Sequence, residues 1–360
     1  MKIEVYSPTI RRKEMDAVLT AMVADKIGPG DQAKFLIQIA KEKIKFDFCL
    51  ALRSPAVALA LALKSLNLEP GQGVIVSALS PLYYSRVIED LGLKALYCDV
   101  QASTCCISRE TVEKALASKP AELDPRCIVI HNTLGYISDT ASIAELGIPL
   151  IEDCSQSYGT IIGEAENEGD KNLGDAVFTI LGLEEKDMLT SGGGALLFSF
   201  NRRDGSVLRS LGDLPPEYGL PDMNAALAVV QFREASKNLI KRREIARLYT
   251  QAALRTRHKR FIQGTLGAVS QEEENQGEYN NYAFPLILEK GAKEVKAYAR
   301  RKEIAVESAF ENTLIGSGLV PSEQCPESYS LSLRTVLFPL YPRLRTRDAE
   351  NIAKLLQTLP

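Results

Sequence analysis

At 360 residues the chain exceeds the length at which a single hydrophobic core usually stops growing, which favours two domains over one. Hydrophobic residues make up 45% and charged residues 25%, ordinary globular proportions that exclude a disordered or fibrous chain. With 43 Lys+Arg against 46 Asp+Glu the formal charge is -3, so the basic excess of a nucleic-acid binder is missing.

The N-terminal stretch MKIEVYSPTIRRKEMDAVLTAM carries charges throughout and has no apolar core. Nowhere does an uninterrupted apolar run reach the roughly 18 residues that suggest a membrane span. The expectation is a cytoplasmic protein that engages neither nucleic acid nor membrane. Seven cysteines, at 49, 98, 105, 106, 127, 154 and 325, are an odd number without C-x-x-C spacing, which suits buried free thiols in a reducing compartment. With only His131 and His258 in the chain, the adjacent Cys105 and Cys106 do not suggest a zinc site.

Along the chain, short apolar runs alternate with helical patterns. AVALALALKSLNL reads as a helix, GVIVSAL as a strand, YYSRVIEDLGL as a helix and KALYCDV as a strand. SRETVEKALAS then reads as a helix, RCIVIHNT as a strand, DTASIAELG as a helix, and IPLIED, DAVFTIL and GGALLFSF as strands. Strands apolar on both faces, separated by helices, argue for a parallel sheet covered on both sides. Near residue 240 the texture changes to NLIKRREIARLYTQAALRTR, a long charged helix with Leu239, Ile245, Leu248 and Ala252 at helical spacing, read as a connector. A polar Gly-rich loop follows, then YAFPLIL as a strand, AKEVKAYARRKEI as a helix, RTVLFPLYPRL as an extended segment, and a last helix with Thr346 as N-cap. The expected division is a large α/β domain over 1-240, then a connecting helix and small α+β domain over 241-360.

The stretch IEDCSQSYG, residues 151 to 159, places two acidic residues at the end of an apolar run. An unpaired buried charge is costly, so Asp153 requires a cationic partner, either a residue or a bound cofactor. Taken alone, Asp153 reads first as a cap of the turn after a strand.

Several segments narrow the choice. VIVSALSPLYYSRVIEDLGLKALYCDV, IVIHNTLG, PLIEDCSQSYGT, LGDAVFT, SGGGALLF, PDMNAALAVVQF, RREIARLY and RTVLFPLYPRL follow the order and approximate spacing of the DegT-type sugar aminotransferases. The resemblance extends over nearly the whole chain. It implies the type I fold of enzymes that use pyridoxal phosphate (PLP): an α/β fold with a mostly parallel sheet flanked by helices, plus a small C-terminal α+β domain. It also implies a homodimer, and amino transfer from an amino acid such as glutamate to a keto-sugar nucleotide. A homodimer suits the apolar helix face in PDMNAALAVVQF, which a monomer would have to expose.

Carried over residue by residue, the family's E-D-x-x-Q motif matches Glu152, Asp153 and Gln156. The resemblance implies that Asp153 pairs with the pyridinium nitrogen, which keeps the ring an electron sink, and that Gln156 contacts the ring's phenolic oxygen. Thr179 stands where the family has a phosphate-binding Ser. Lys186 is the candidate Schiff-base lysine: it stands at the family's distance before Gly193 and Gly194 but two residues late when counted from Phe178. As a plain member of the EEKD cluster it reads as a solvated surface charge.

The chain departs from the family pattern elsewhere. Pro55-Ala56 replaces the phosphate-binding G-T at a helix start, leaving Ser54 as the substitute hydroxyl. The stacking aromatic falls near Pro81, with Tyr83 or Tyr84 as stand-ins. Glu217 and Gly219 replace an Asn and an Arg that reach the neighbouring subunit, and a glutamate there repels phosphate. No His lies near 186, which excludes the family's dehydratase variant, and His131 reads as structural or marginal to the site. Two expectations follow: a PLP aminotransferase that holds its cofactor weakly, or a non-catalytic homologue serving as a dimeric binding or regulatory module.

Overall fold

The computed structural model describes residues 3–25, 27–160, 175–211, 214–262 and 279–360. Most of the loop expected between the connector and YAFPLIL lies outside the described residues. Helices α1 (Arg12–Val23) and α2 (Asp31–Ile44) lead into β1 (Phe48–Leu52). The alternation expected from the sequence follows: α3 (Pro55–Ser65), β2 (Gly73–Ser77), α4 (Tyr83–Asp90), β3 (Lys94–Cys98), α5 (Arg109–Ser118), β4 (Pro125–His131), α6 (Thr140–Ala144) and β5 (Leu150–Asp153). Strands β6 (Phe178–Gly182) and β7 (Ala195–Ser199), then α7 (Arg202–Ser210), precede α8 (Asp222–Ala253).

The seven strands form one sheet in the order β1-β7-β6-β5-β4-β2-β3. Strands β3, β2, β4, β5 and β6 are mutually parallel, β7 runs antiparallel to β6, and β1, antiparallel to β7, returns to the common direction. Every residue of β2, β5, β6 and β7 is buried, as expected of strands covered on both faces. Alternation along β6 and β7 separates the two sides. Phe178, Ile180 and Leu197 join the larger core, while Leu181, Leu196 and Phe198 pack with Leu36 and Ala40 of α2 and Phe232 of α8.

Helix α8 is one continuous run of 32 residues, so the proposed division at 240/241 falls inside an element. Its start is tied to α2: buried Asp222 accepts from the Ala33 amide at 3.0 Å, capping a helix nearly 190 positions away in sequence. Beyond it lie β8 (Phe284–Ile287), α9 (Lys293–Arg301), β9 (Glu307–Ser308), α10 (Pro326–Arg334), β10 (Thr335–Phe338) and α11 (Thr346–Leu356). Strands β8, β10 and β9 make a small antiparallel sheet, and Ile245 and Tyr249 of α8 share a third core with Phe284, Val336, Phe338 and Ile352. Buried Arg242 clamps this part to α8, its Nη1 donating to the carbonyls of Asn281, Tyr282 and Leu340 at 3.1, 2.9 and 3.0 Å.

Two local expectations are corrected. Thr346 is the first helical residue of α11; Arg345 is the N-cap, without a side-chain cap, and its guanidinium instead pairs with Asp348 at 2.9 Å. The apolar face of PDMNAALAVVQF is not exposed, because Ala225, Ala228, Val229 and Phe232 are buried within the chain beneath α1 and α2. A stripe of exposed apolar residues lies on α1, where Met15, Leu19, Met22 and Val23 are 50% to 77% exposed. All seven cysteines are buried and free.

Candidate functional site

The parallel strands β4 and β5 end side by side, with His131 and Asp153 as register partners. Side chains of register partners project from the same face, so the imidazole and the carboxylate meet at the carboxyl edge of the sheet. This edge is where ligands bind in open α/β folds. The first turn of α4, reached from β2, lowers two phenols onto the same point. Tyr84 donates to Asp153 Oδ2 at 2.6 Å, and Tyr83 approaches it at 3.3 Å. The Ser155 amide donates to Oδ1 at 2.9 Å, and the Ser155 hydroxyl donates to the same oxygen. His131 Nδ1 lies 3.6 Å from Oδ2, at ion-pair distance.

Burial pushes the Asp153 carboxyl up, but the His131 imidazole, Ser155 and Tyr84 outweigh it and hold the group below the ordinary carboxylate range. The two phenols are pushed well up, first by burial and then by the Asp153 charge, so both stay protonated as donors. The carboxylate at the end of the apolar run thus has its partners within the protein.

The other candidate residues are dispersed around this point. Gln156 Oε1 accepts from the Leu134 amide at 2.6 Å, and the Gln156 carbonyl accepts from Asn280 Nδ2 at 2.7 Å. Gln156 therefore fastens a tight turn in which Leu134 has φ 55° and Gly135 φ 84°. Thr179 is the register partner of Glu152, not of Asp153, and projects from the opposite face of the sheet. Its Oγ1 is buried without a hydrogen-bond partner, as is Oε2 of Glu152. Asn132 donates to the other Glu152 oxygen at 2.8 Å, and burial pushes the Glu152 carboxyl up to about 7.

Lys186 points outward. Its side chain is 52% exposed, with Nζ 3.8 Å from Glu307 Oε2 and 4.9 Å from the ring centre of Tyr6. The next residue, Asp187, turns inward, accepting from the Glu184 amide at 2.8 Å. A Cβ on Gly182 would come within 2.3 Å of Asp187 Oδ2 and 2.7 Å of Ser155 Oγ, so the missing side chain of Gly182 makes room for both. Burial, and after it the nearby Asp153 and Glu184 charges, push the Asp187 carboxyl well up. Sequence reading missed Asp187; the available signal was the glycine at the end of an otherwise apolar strand. At the start of α3, Ser54 Oγ accepts from the Val57 amide at 3.3 Å, and Pro55 offers no amide.

With a mostly parallel sheet, helices on both faces and a charged cluster at the carboxyl edge, the molecule has the architecture of the type I PLP enzymes. The chain belongs to the DegT/DnrJ/EryC1/StrS aminotransferase family, whose profile matches residues 8–357. It is 27% identical over 261 residues to an L-glutamine:2-deoxy-scyllo-inosose aminotransferase of Streptomyces lividus, covering 68% of this chain and 59% of that protein. A protein of the same name from Streptomyces fradiae is 26% identical over 190 residues, 49% of this chain and 42% of its own length. The chain thus spans less than two thirds of these curated relatives.

Among solved structures, the aminotransferase TlmJ from Streptoalloteichus hindustanus superposes with a TM-score of 0.81 at 18% identity, covering 99% of this chain and 98% of that one. The PLP form of Spr1654 from Streptococcus pneumoniae gives 0.83 at 18%, covering 99% and 98%. The Escherichia coli GDP-4-keto-6-deoxy-D-mannose-3-dehydratase with bound hydrated PLP gives 0.79 at 14%, covering 99% of each chain. At these identities the likeness establishes the fold.

The arrangement of side chains does not fit PLP. A ring nitrogen needs access to Asp153, but the residue is 1% exposed and both of its oxygens are engaged, with Tyr84 fully enclosed against it. A capturing amine needs to face the site, but Lys186 faces Glu307 and Tyr6. A phosphate would find fewer donors at the start of α3, because Pro55 has no amide and Ser54 occupies that of Val57.

Proposed function

We propose that this chain is a non-catalytic member of the aminotransferase family, a binding or regulatory protein in which Tyr84 and Asp187 crowd the space around Asp153 where the family resemblance would seat a cofactor. The observation that carries this reading is Asp153 itself. It is closed to solvent, and it accepts from the Tyr84 and Ser155 hydroxyls and the Ser155 amide, with the His131 imidazole 3.6 Å away. A carboxylate awaiting a pyridinium would otherwise be an unpaired buried charge.

The expected partner is a second copy. The apolar stripe on α1, with Met15, Leu19, Met22 and Val23 at helical spacing, is a face that water does not favour. Locating the protein in the cytoplasm agrees with the composition and with the lack, among the described residues, of any helix long and apolar enough to cross a membrane.

A second reading is favoured by the His131–Asp153 pair at the strand ends and by the names of the relatives. It is PLP-dependent amino transfer from an amino acid to a keto-sugar nucleotide or a keto-cyclitol. Lys186 would capture the cofactor, Asp153 pair with its ring nitrogen, Gln156 meet its ring oxygen and Thr179 its phosphate. This requires Tyr84 to withdraw and Lys186 to reverse direction. PLP titration of the purified protein followed by visible absorbance, with glutamate or glutamine as donor, separates the two. The first reading expects no saturable signal and no consumption of donor. Stoichiometric cofactor in the purified protein would establish the second.

A further inference from the structure

We infer that position 187, not 186, is where the loop after β6 presents a side chain to the cofactor's place, and that Asp187 is the residue that prevents an aldehyde cofactor from being captured there. This rests on the reading of the site as closed.

The loop from 183 to 194 has little freedom to reverse the two residues. Leu183 donates to the Gly194 carbonyl at 2.8 Å, while the amides of Ser191 and Gly193 both donate to the Leu183 carbonyl, at 2.9 and 3.1 Å. Inside that ring of bonds, Asp187 N donates to the Glu184 carbonyl at 3.1 Å and Met188 N to the Ser155 carbonyl at 3.2 Å. The Met188 bond ties the turn to the residue that holds Asp153. Consecutive side chains of such a turn diverge: Lys186 leaves toward Glu307, and Asp187 settles over Gly182 beside Ser155.

The Asp187 carboxyl lies over Gly182 together with the Ser155 hydroxyl, and that hydroxyl is bonded to Asp153, so position 187 opens on the side of the sheet where Asp153 stands. An amine there would stand beside Ser155, on the same side of the sheet as Asp153. A carboxyl group in the same seat, ionised or neutral, cannot capture an aldehyde as an amine does. Gly182 completes the seat, since any larger residue would collide with the Asp187 carboxylate.

The test replaces Asp187 by Lys, whose four-carbon stem carries the amine past Ser155 into that space. The same substitution is also made together with Tyr84→Ala, which clears the ring from Asp153. Each protein is incubated with PLP from micromolar to millimolar concentration, reduced with borohydride, and mapped by peptide mass spectrometry. The expected result is a pyridoxyl adduct at position 187, approaching one per chain in at least the double variant, with the wild type labelled only at the background of surface lysines. Wild-type labelling concentrated on Lys186 would overturn both this inference and the closed-site reading. Folded variants labelled no more at 187 than at surface lysines would overturn the inference while leaving that reading intact. If neither lysine variant folds, Asp187→Asn serves instead. At alkaline pH, where the raised Asp187 carboxyl of the wild type is ionised, removing the charge is expected to tighten non-covalent PLP binding about tenfold, and unchanged binding there would overturn the inference.

Discussion

Tyr84 and Asp153 are joined hydroxyl to carboxylate at 2.6 Å, in a space from which both side chains are closed to solvent. The bond makes the carboxylate part of the folded core. Tyr84→Phe keeps the ring and removes the donor, and a hydrogen bond to a charged group contributes about 1.5–3 kcal/mol. Asp153→Ala leaves Tyr84 and Ser155 without their acceptor and is expected to cost about 3–5 kcal/mol, as for breaking a buried charged pair. Urea unfolding should give the same losses with and without PLP. A loss that appears only when PLP is present would show that the cofactor reaches Asp153.

Glu152 gives the protein an unusual pH response. Its folded pKa, about 7, lies above the ordinary value of 4.5, so between these values the native state holds a proton that the unfolded chain has released. Stability therefore falls as pH rises from about 4.5 through 7, by on the order of 3 kcal/mol in all. Asp153 has the opposite sign: its depressed pKa supplies stability present above the ordinary carboxylate range and lost only in stronger acid. Glu152→Gln should flatten the decline between pH 5 and 7 and leave the protein more stable than wild type at pH 8. Urea midpoints across that range measure it, and an unchanged pH profile would exclude Glu152 as its source.

Leu19 lies midway along the exposed stripe of α1 and is 57% exposed. A charged residue there should break an interface between two copies without disturbing the packed face of the helix. Leu19→Glu is expected to halve the mass measured by light scattering at micromolar concentration while leaving the circular dichroism unchanged. A monomeric wild type would remove the proposed dimer.

The sheet was legible because its central strands are short apolar runs, GVIVS and LIED among them, separated by helices that begin at clear signals such as Ser108 before α5. Strand β1 was not, because FCLAL is only five residues long and lies between α2 and α3, with both neighbours in the sheet supplied by distant or irregular chain. The site was legible at Asp153, where a charge interrupts a buried run, but not at Asp187. In a turn, side-chain direction follows from hydrogen bonds to Ser155 and Gly194, not from a period of 2 or 3.6, so neighbours as alike in charge density as Lys186 and Asp187 give no hint of which faces inward. Tyr84 was recognised as an aromatic near the site, but its hydroxyl on Asp153 depends on how α4 is seated over the strand ends.

Helix α8 has a mechanical consequence. A rod of 32 residues is about 48 Å long at 1.5 Å per residue. Its first turn holds α2 through Asp222, and its second half is buried in the third core and clamped through Arg242, so no break in the rod separates its two ends. Domain closure about a hinge needs a few residues able to absorb a large backbone rotation, and an unbroken helix buried at both ends offers none along its length. Any access to Asp153 would therefore have to be local, by the first turn of α4 yielding while the frame around it stays rigid.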